Sequence, residues 1–247
     1  MTRPRDASPA GLVLSVVVPA YNESATVEAV VRRLRELPLR LEVIAVDDAS
    51  TDGTGDILDR LHEERVLDRV IHQQGNRGKG AALRAGFAAA MGDVVVVQDA
   101  DLEYDPSDLP TLLDPILRGR ADAVYGSRFQ GGPRRVLFFW HSVGNRTLTL
   151  LSNMFTNLNL TDMETCYKLV RRDLLQRLPL QSNRFGFEVE ITARLSQSGA
   201  RIWELPITYS GRTYAEGKKI TWKDGFAALF HIIRFNLFPP GGDWRKR

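Results

Sequence analysis

Val94-Val95-Val96-Val97-Gln98-Asp99-Ala100-Asp101 is an apolar run that ends in a pair of acids. Four consecutive β-branched residues predict a buried strand, central in a parallel sheet, because such strands are covered on both faces. Residues two apart on a strand point the same way. Asp99 and Asp101 therefore share a face at or just beyond the carboxyl end of that strand, where open α/β sheets bind their ligands. Two carboxylates so close repel, and one is pushed toward its neutral form. A hard divalent cation relieves the repulsion, and an all-oxygen donor set suits Mg²⁺ or Mn²⁺. Asp is also common in turns and at helix starts, so the pair alone leaves a metal site and a turn both open.

The pattern extends in both directions. Upstream, residues 12–19, 41–46 and 66–73 read as strands. Helices are expected over 25–37, from the Asp52-Gly53-Thr54 turn to Glu64, and over the Ala/Gly-rich 78–91. Ser24 is placed to cap the first helix, Val27, Val30, Val31 and Leu34 form its apolar stripe, and Pro38 stops it. Downstream come a helix starting at Asp105 and ending at Arg118, a strand at 121–126, a flexible loop at 130–133 and an apolar helix at 136–158. A strand opening over 162–167, helices at 171–178 and 185–199, a strand at 202–210, a basic loop at 211–219 and a helix at 222–238 complete the chain. Alternating strands and helices with short connections predict an α/β fold, a mostly parallel central sheet with helices on both faces. Residues 1–11 have no apolar core, so they read as a disordered lead-in and not a signal peptide. Residues 12–221 read as one domain, and 222–247 as an apolar helix with a basic tail.

The 247 residues carry 33 Lys and Arg against 30 Asp and Glu, a net charge of +3 that gives no argument for nucleic acid. Cys166 is the single cysteine, which excludes an internal disulfide, and it reads as a small core residue. No stretch reaches the ~20 apolar residues that span a bilayer. The nearest, Gly225 to Phe238, contains His231 and Arg234.

Carboxylates collect at the strand ends: Glu23 beside Tyr21 after the first, Asp47, Asp48 and Asp52 after the second, Asp99 and Asp101 after the fourth. In a parallel sheet these loops leave one edge and build one crevice. An acid after the second strand suits a ribose hydroxyl or a base N–H. Pro19-Ala20-Tyr21-Asn22-Glu23 has no glycine, which excludes a dinucleotide fingerprint, and a Walker A loop is absent. A metal on the acid pair is then the natural holder of phosphates. Asn76-Arg77-Gly78-Lys79-Gly80 precedes a helix, where Arg77 or Lys79 can neutralise phosphate, although an ordinary basic loop reads the same way.

Four segments in order, V-V-V-P-A-Y-N-E at 16–23, V-D-D-A-S-T-D-G-T at 46–54, N-R-G-K-G-A-A-L-R-A-G at 76–86 and Q-D-A-D-L-E-Y at 98–104, resemble the inverting family 2 glycosyltransferases of GT-A fold. G-S-R-F at 126–129, G-N-R at 144–146, D-M-E-T-C-Y-K at 162–168, F-G-F-E-V-E-I at 185–191 and the run at 204–220 resemble the dolichol-phosphate mannose synthase branch and its bacterial polyprenyl-phosphate relatives. The resemblance implies a nucleotide-sugar pocket at Pro19, Tyr21, Glu23, Asp48, Lys79 and Asp99. It implies a metal on Asp99, Asp101 and Glu103. Arg128, Arg212 and Lys218 would meet donor diphosphate or acceptor phosphate and, with Asp101, carry the reaction. Arg146 and Lys219 are further candidates for the acceptor phosphate. Where the branch often has Ser before the last-loop lysine, this chain has Gly217 before Lys218 and Lys219.

The activity implied is metal-dependent, inverting transfer of a hexose from a donor of GDP-mannose or UDP-glucose type to a polyprenyl monophosphate. The enzyme would sit at the cytoplasmic face of a membrane through its C-terminal helix, whose aromatic residues and flanking cations suit an interface. A second reading changes the acceptor to a sugar hydroxyl, with Asp162 or Glu164 as general base. A third, a non-catalytic nucleotide-sugar or nucleic-acid binding module, is opposed by the intact acid pair and the lack of a basic stripe. A nucleotidyltransferase would share the sheet and acids, but no Gly-rich phosphate loop stands near the N-terminus.

Overall fold

The structure, a computed structural model, describes residues 11–136, 138–184, 186–213, 222–241 and 244. The expected lead-in, apart from Gly11, lies outside the described residues, as do Lys218, Lys219 and most of the basic tail.

The chain runs β1 (Leu14–Ala20), α1 (Val27–Arg35), β2 (Leu41–Asp47), α2 (Thr54–Glu63), β3 (Arg69–His72), α3 (Lys79–Ala89) and β4 (Val94–Val97). A 3-10 turn then leads into α4 (Leu109–Leu117), β5 (Ala123–Ser127), α5 (Phe139–Thr156) and β6 (Lys168–Arg171). The one-turn α6 (Arg172–Leu175), α7 (Phe187–Gln197), β7 (Ile202–Pro206) and α8 (Trp222–Leu237) follow. The strands form one seven-stranded sheet in the order β3-β2-β1-β4-β6-β5-β7. The valines of β4 are buried as their pattern requires, and they register residue for residue with Leu14–Val17 of β1. Gly86 lets α3 press onto β1, because a Cβ there would strike Val17.

β6 departs from the expected strand in position and direction. Residues 162–167 form a turn-rich entry, and the strand itself starts at Lys168 and runs antiparallel to both β4 and β5. Because of that reversal, the entry segment 161–167 lies at the sheet edge where the parallel strands end. A second correction concerns the start of α1. Ser24 is not its cap: the Ser24 N–H donates to Asp52 instead, at 3.1 Å, and Thr26 stands at the N-cap with its hydroxyl on the Ala100 carbonyl at 2.6 Å. The loop after β1 is thus tied to the loop after β4.

α8 packs on α5 and α7 through Ala228, Ile232 and Phe235, which share a small core with Met163, Val189 and Ala193. Its opposite face leaves Phe230, Ile233 and Leu237 exposed, and α5 and the segment before it expose Val136, Phe139, Trp140 and Met154. Among the described residues no helix is long and apolar enough to cross a membrane.

Candidate active site

From β1 the chain turns to β2 on one side and later returns to β4 on the other. The gap between the β1 and β4 carboxyl ends is the switch point at which such sheets take ligands. Pro19 lies beyond the last β1–β4 register pair, and Tyr21, half-exposed, stands just past the strand. Three of the five non-glycine residues with positive φ among those described are in these loops: Asn22, Ala49 and Leu102. Left-handed backbone at ordinary residues is uncommon and persists where neighbours over-determine it. Here Asn22 is held by its backbone N–H, which donates to Ser50 Oγ at 3.0 Å, and by its side-chain oxygen, which accepts the Thr51 N–H at 2.8 Å.

Asp48 accepts the N–H groups of Arg77 and Gly78, at 2.8 and 2.7 Å. It thereby fixes the loop that opens α3 to the end of β2. Gly78 has φ +91° and a Cβ there would come 2.5 Å from the Asn183 carbonyl, so no other residue fits. The loop delivers Lys79 to Asp99: Nζ lies 2.7 Å from Oδ1. The same ammonium is 3.6 Å from Glu188, which also binds the buried Lys168. Burial opposes the charge on Lys79, yet the Asp99 and Glu188 carboxylates raise its pKa well above the ordinary value.

Asp101 faces Arg212, with Oδ2 2.8 Å from the guanidinium. That guanidinium also reaches Glu23 at 3.4 Å and Glu103 at 3.6 Å. Glu103 accepts the Tyr209 hydroxyl at 2.8 Å and the Arg212 backbone N–H at 2.7 Å. Burial and the charges of Asp99 and Glu103, against the pull of Arg212, push Asp101 up to about 7. Among the described residues the cluster is therefore short of positive charge, and its donor atoms are all carboxylate oxygens. That is a chemistry a hard divalent cation fits. The three acids do not form a ready cage, however. Asp99 has turned to Lys79 and Asp101 and Glu103 to Arg212, and no group of three His, Cys, Asp or Glu among the described residues converges as a metal site. Of the expected Asp99–Asp101–Glu103 set, Glu103 anchors the Tyr209–Arg212 segment in this structure.

Arg128 belongs to a second cluster. Its Nε and a terminal nitrogen grip Asp162 at 2.6 and 2.7 Å, and its backbone N–H adds a third bond at 3.1 Å. Asp162 is fully buried, and Asn145 reaches it at 3.4 Å. Its carboxylate is committed to positioning Arg128. The guanidinium groups of Arg128, Arg134 and Arg146 lie over the Phe129 ring, 5.8, 5.3 and 5.8 Å from its centroid. Arg128 also lies 5.2 Å from the Tyr209 ring. Tyr209 therefore joins the two clusters. Glu164 differs from Asp162. Its Oε1 is buried without a hydrogen-bond partner, and burial, then the charge of Glu188, raise it to about 7 against Lys168 and Arg128. Cys166 is a buried thiol, as expected, raised by burial and with its N–H on the Tyr104 hydroxyl.

Lys79 thus meets Asp99, and Arg212 meets Glu23, Asp101 and Glu103, at the carboxyl ends of β1 and β4, with Asp48 fixing the loop before Lys79, Pro19 and Tyr21 at the end of β1, and Arg128 and Arg146 around Phe129. Sequence reading missed Glu188, Phe129, Tyr209 and Arg134. The Arg134-Arg135 pair beside Gly131-Gly132-Pro133 was the available signal for the last. The others are placed by contacts distant in sequence.

Residues 15–178 match the model of glycosyl transferase family 2. The chain is 35% identical over 234 residues to the undecaprenyl-phosphate mannosyltransferase of Micrococcus luteus, covering 90% of this chain and 93% of that protein. It is 32% identical over 232 residues to the polyprenol monophosphomannose synthase of Mycolicibacterium smegmatis, covering 90% and 86%. Its fold matches that of glucosyl-3-phosphoglycerate synthase from Mycobacterium tuberculosis, solved with Mn²⁺, UDP and glucosyl-3-phosphoglycerate. The TM-score is 0.73 at 23% identity, over 98% of this chain and 88% of that one. The chain belongs to glycosyl transferase family 2 and is a glycosyltransferase of GT-A fold.

Proposed function

We propose that the protein transfers a hexose from a nucleoside-diphosphate sugar to a polyprenyl monophosphate, with inversion, using Mg²⁺ or Mn²⁺. The observation that carries this is the pairing of an acid cluster with a separate guanidinium cluster around Phe129, in a cleft whose Asp162 is already committed to Arg128. The names of the two relatives support the acceptor and favour mannose as the sugar. Asp99 and Asp101 would hold the metal, which when bound acts as a Lewis acid on the departing diphosphate. Lys79 and Glu188 keep Asp99 in place, and Arg212 moves from Asp101 to phosphate oxygens as the site fills. Pro19, Tyr21, Glu23 and Asp48 border the nucleoside.

A phosphate acceptor with a second pKa of about 6 is already an anion at neutral pH. It needs cations to orient it more than it needs a base. Arg128, held rigid by Asp162, and Arg134 and Arg146 supply them, with Lys218 or Lys219 as further candidates. The exposed aromatic faces of α5 and α8 would rest on the membrane that carries the acceptor, at its cytoplasmic side. Residues 222–247 would then work as an interfacial appendage to the 12–221 domain.

One observation favours a second reading. Glu164, unpartnered and near neutrality, has the pKa a general base needs for a sugar hydroxyl. The decisive assay offers GDP-mannose, UDP-glucose and UDP-N-acetylglucosamine with metal to polyprenyl phosphate and, separately, to polyprenol. Transfer to the phosphate alone is expected, and transfer to neither with retained donor binding would refute the lipid-phosphate reading.

A further inference from the structure

A second cavity of about 490 Å³ lies between the loop that opens α3, the 181–186 loop and α8. Its lining includes Arg77, Arg184, Arg234, His231 and Ser182, and no carboxylate among the described residues. None of those three arginines makes an ion pair with a described residue. Two polar atoms there are buried with no hydrogen-bond partner, Ser182 Oγ and His231 Nδ1. Buried polar groups without partners are rare and call for a ligand or an ordered water. Glu190, whose charge acts on His231, is turned away from it to the N–H groups of Gln181 and Ser182, at 2.7 to 3.0 Å.

Contacts tie the described walls together. Arg84 holds Asn183 at 2.6 Å, and the Asn183 carbonyl accepts the Ala81 N–H at 3.1 Å. His231 stacks on Phe235 at 5.4 Å, and Arg234 lies over the same ring at 5.3 Å. Gly186 faces that histidine so closely that a Cβ would come 2.6 Å from its ring, so a larger residue would push α8 off the loop. Guanidinium forks with a hydroxyl and an imidazole form a donor set for tetrahedral oxyanions. The volume exceeds one phosphate and leaves room for the group esterified to it.

We infer that this cavity is a binding site for a phosphate ester anion, separate from the carboxylate cluster between β1 and β4. The phosphate comes either on a lipid headgroup or free in solution. The lipid source follows from α8, which presents Arg234 to the cavity and Phe230, Ile233 and Leu237 to the outside. A headgroup seated on Arg184 and Arg234 would lay its chains along that apolar face. The site does not rest on the acceptor proposed above, and its failure would leave that reading as it stands.

The test follows the His231 ring resonances of the full chain during titration with three probes: inorganic phosphate, short-chain phosphatidylglycerol below its micelle concentration, and short-chain phosphatidylcholine. A saturable shift with phosphatidylglycerol but not phosphatidylcholine is expected. It should need about tenfold more ligand in Arg184→Ala and in Arg234→Ala, the loss of one charge-assisted bond. Arg118→Ala, outside the cavity, should titrate as the parent does. An equal response to inorganic phosphate supports the site and assigns it to free anion. No shift with phosphatidylglycerol or phosphate overturns the site, as does a shift indifferent to both arginine variants or one equally strong with phosphatidylcholine.

Discussion

The two sides of the cleft balance their charges in opposite ways. Among the described residues, Glu23, Asp99, Asp101 and Glu103 pair with Lys79 and Arg212. Arg128, Arg134 and Arg146 surround one aromatic ring, and Asp162 is the one carboxylate that any of them binds among the described residues. Tyr209 stands between, its hydroxyl on Glu103 and its ring under Arg128. Among the described residues one side is short of positive charge and the other of negative charge, and on the reading proposed above each would take a different kind of guest. Asp101→Ala breaks the acidic side most directly. Turnover should fall by about 10²–10³-fold or more, the scale of losing a principal electrostatic stabiliser, with an unchanged circular dichroism spectrum. Normal turnover in that variant, or in Asp99→Ala, would remove the acid pair from the chemistry.

On the basic side the largest effect belongs to Asp162. Asp162→Ala strands Arg128 beside a buried gap. Breaking a buried pair costs about 3 kcal/mol, the low end of its range because Arg128 still reaches solvent. A urea denaturation midpoint reads that loss. The acceptor KM should rise while the donor KM holds, which separates the two sides kinetically. A rise in both would mean that the clusters act as one.

The outer helices give a smaller effect. Trp140, 77% exposed, and Phe230, 61% exposed, add little to the core and on the proposed reading would face a bilayer. Trp140→Glu and Phe230→Glu should each weaken vesicle binding about tenfold, the transfer free energy of part of an aromatic side chain. Melting temperatures should stay near the parent value. Unchanged vesicle binding would turn these faces away from the membrane.

The acidic side was legible in the sequence because its logic is local. An apolar strand that ends in alternate acids, and a glycine loop that opens a helix, are written within a few residues. The basic side was legible only in part. Arg128 and Arg146 were named through a resemblance, but their meeting over Phe129 depends on how α5 lies against the loop after β5. β6 is four residues long and runs against its neighbours, and no periodicity in so short a run reports direction. Ser24 had the chemistry of a cap, but the tertiary bond from Thr26 to Ala100 set the helix start instead. Glu188 looked like one more acid on a helix, and its place between Lys79 and Lys168 follows from α7 packing under the cleft.

Glu164 sharpens the comparison most finely, since it lies near the basic side yet carries an acid. In the unfolded chain its proton leaves near 4.5, and in the fold burial and the Glu188 charge delay that to about 7. Between those values the native state holds a proton that the unfolded state has released. Stability should therefore decline as pH rises from about 4.5 to about 7 and level off above. Glu164→Gln should flatten that part of the profile, measured by denaturation across the range. Its effect on turnover separates the two acceptor readings. With a phosphate acceptor no proton needs to be removed, so kcat should be nearly unchanged. If Glu164 takes a proton from a sugar hydroxyl, kcat falls by about 10²–10⁴-fold and the acid limb near pH 7 disappears with it. A carboxyl with an unpaired oxygen within the field of Arg128 would then mark the acceptor as neutral, and the guanidinium cluster would have to be explained by something other than the acceptor's charge.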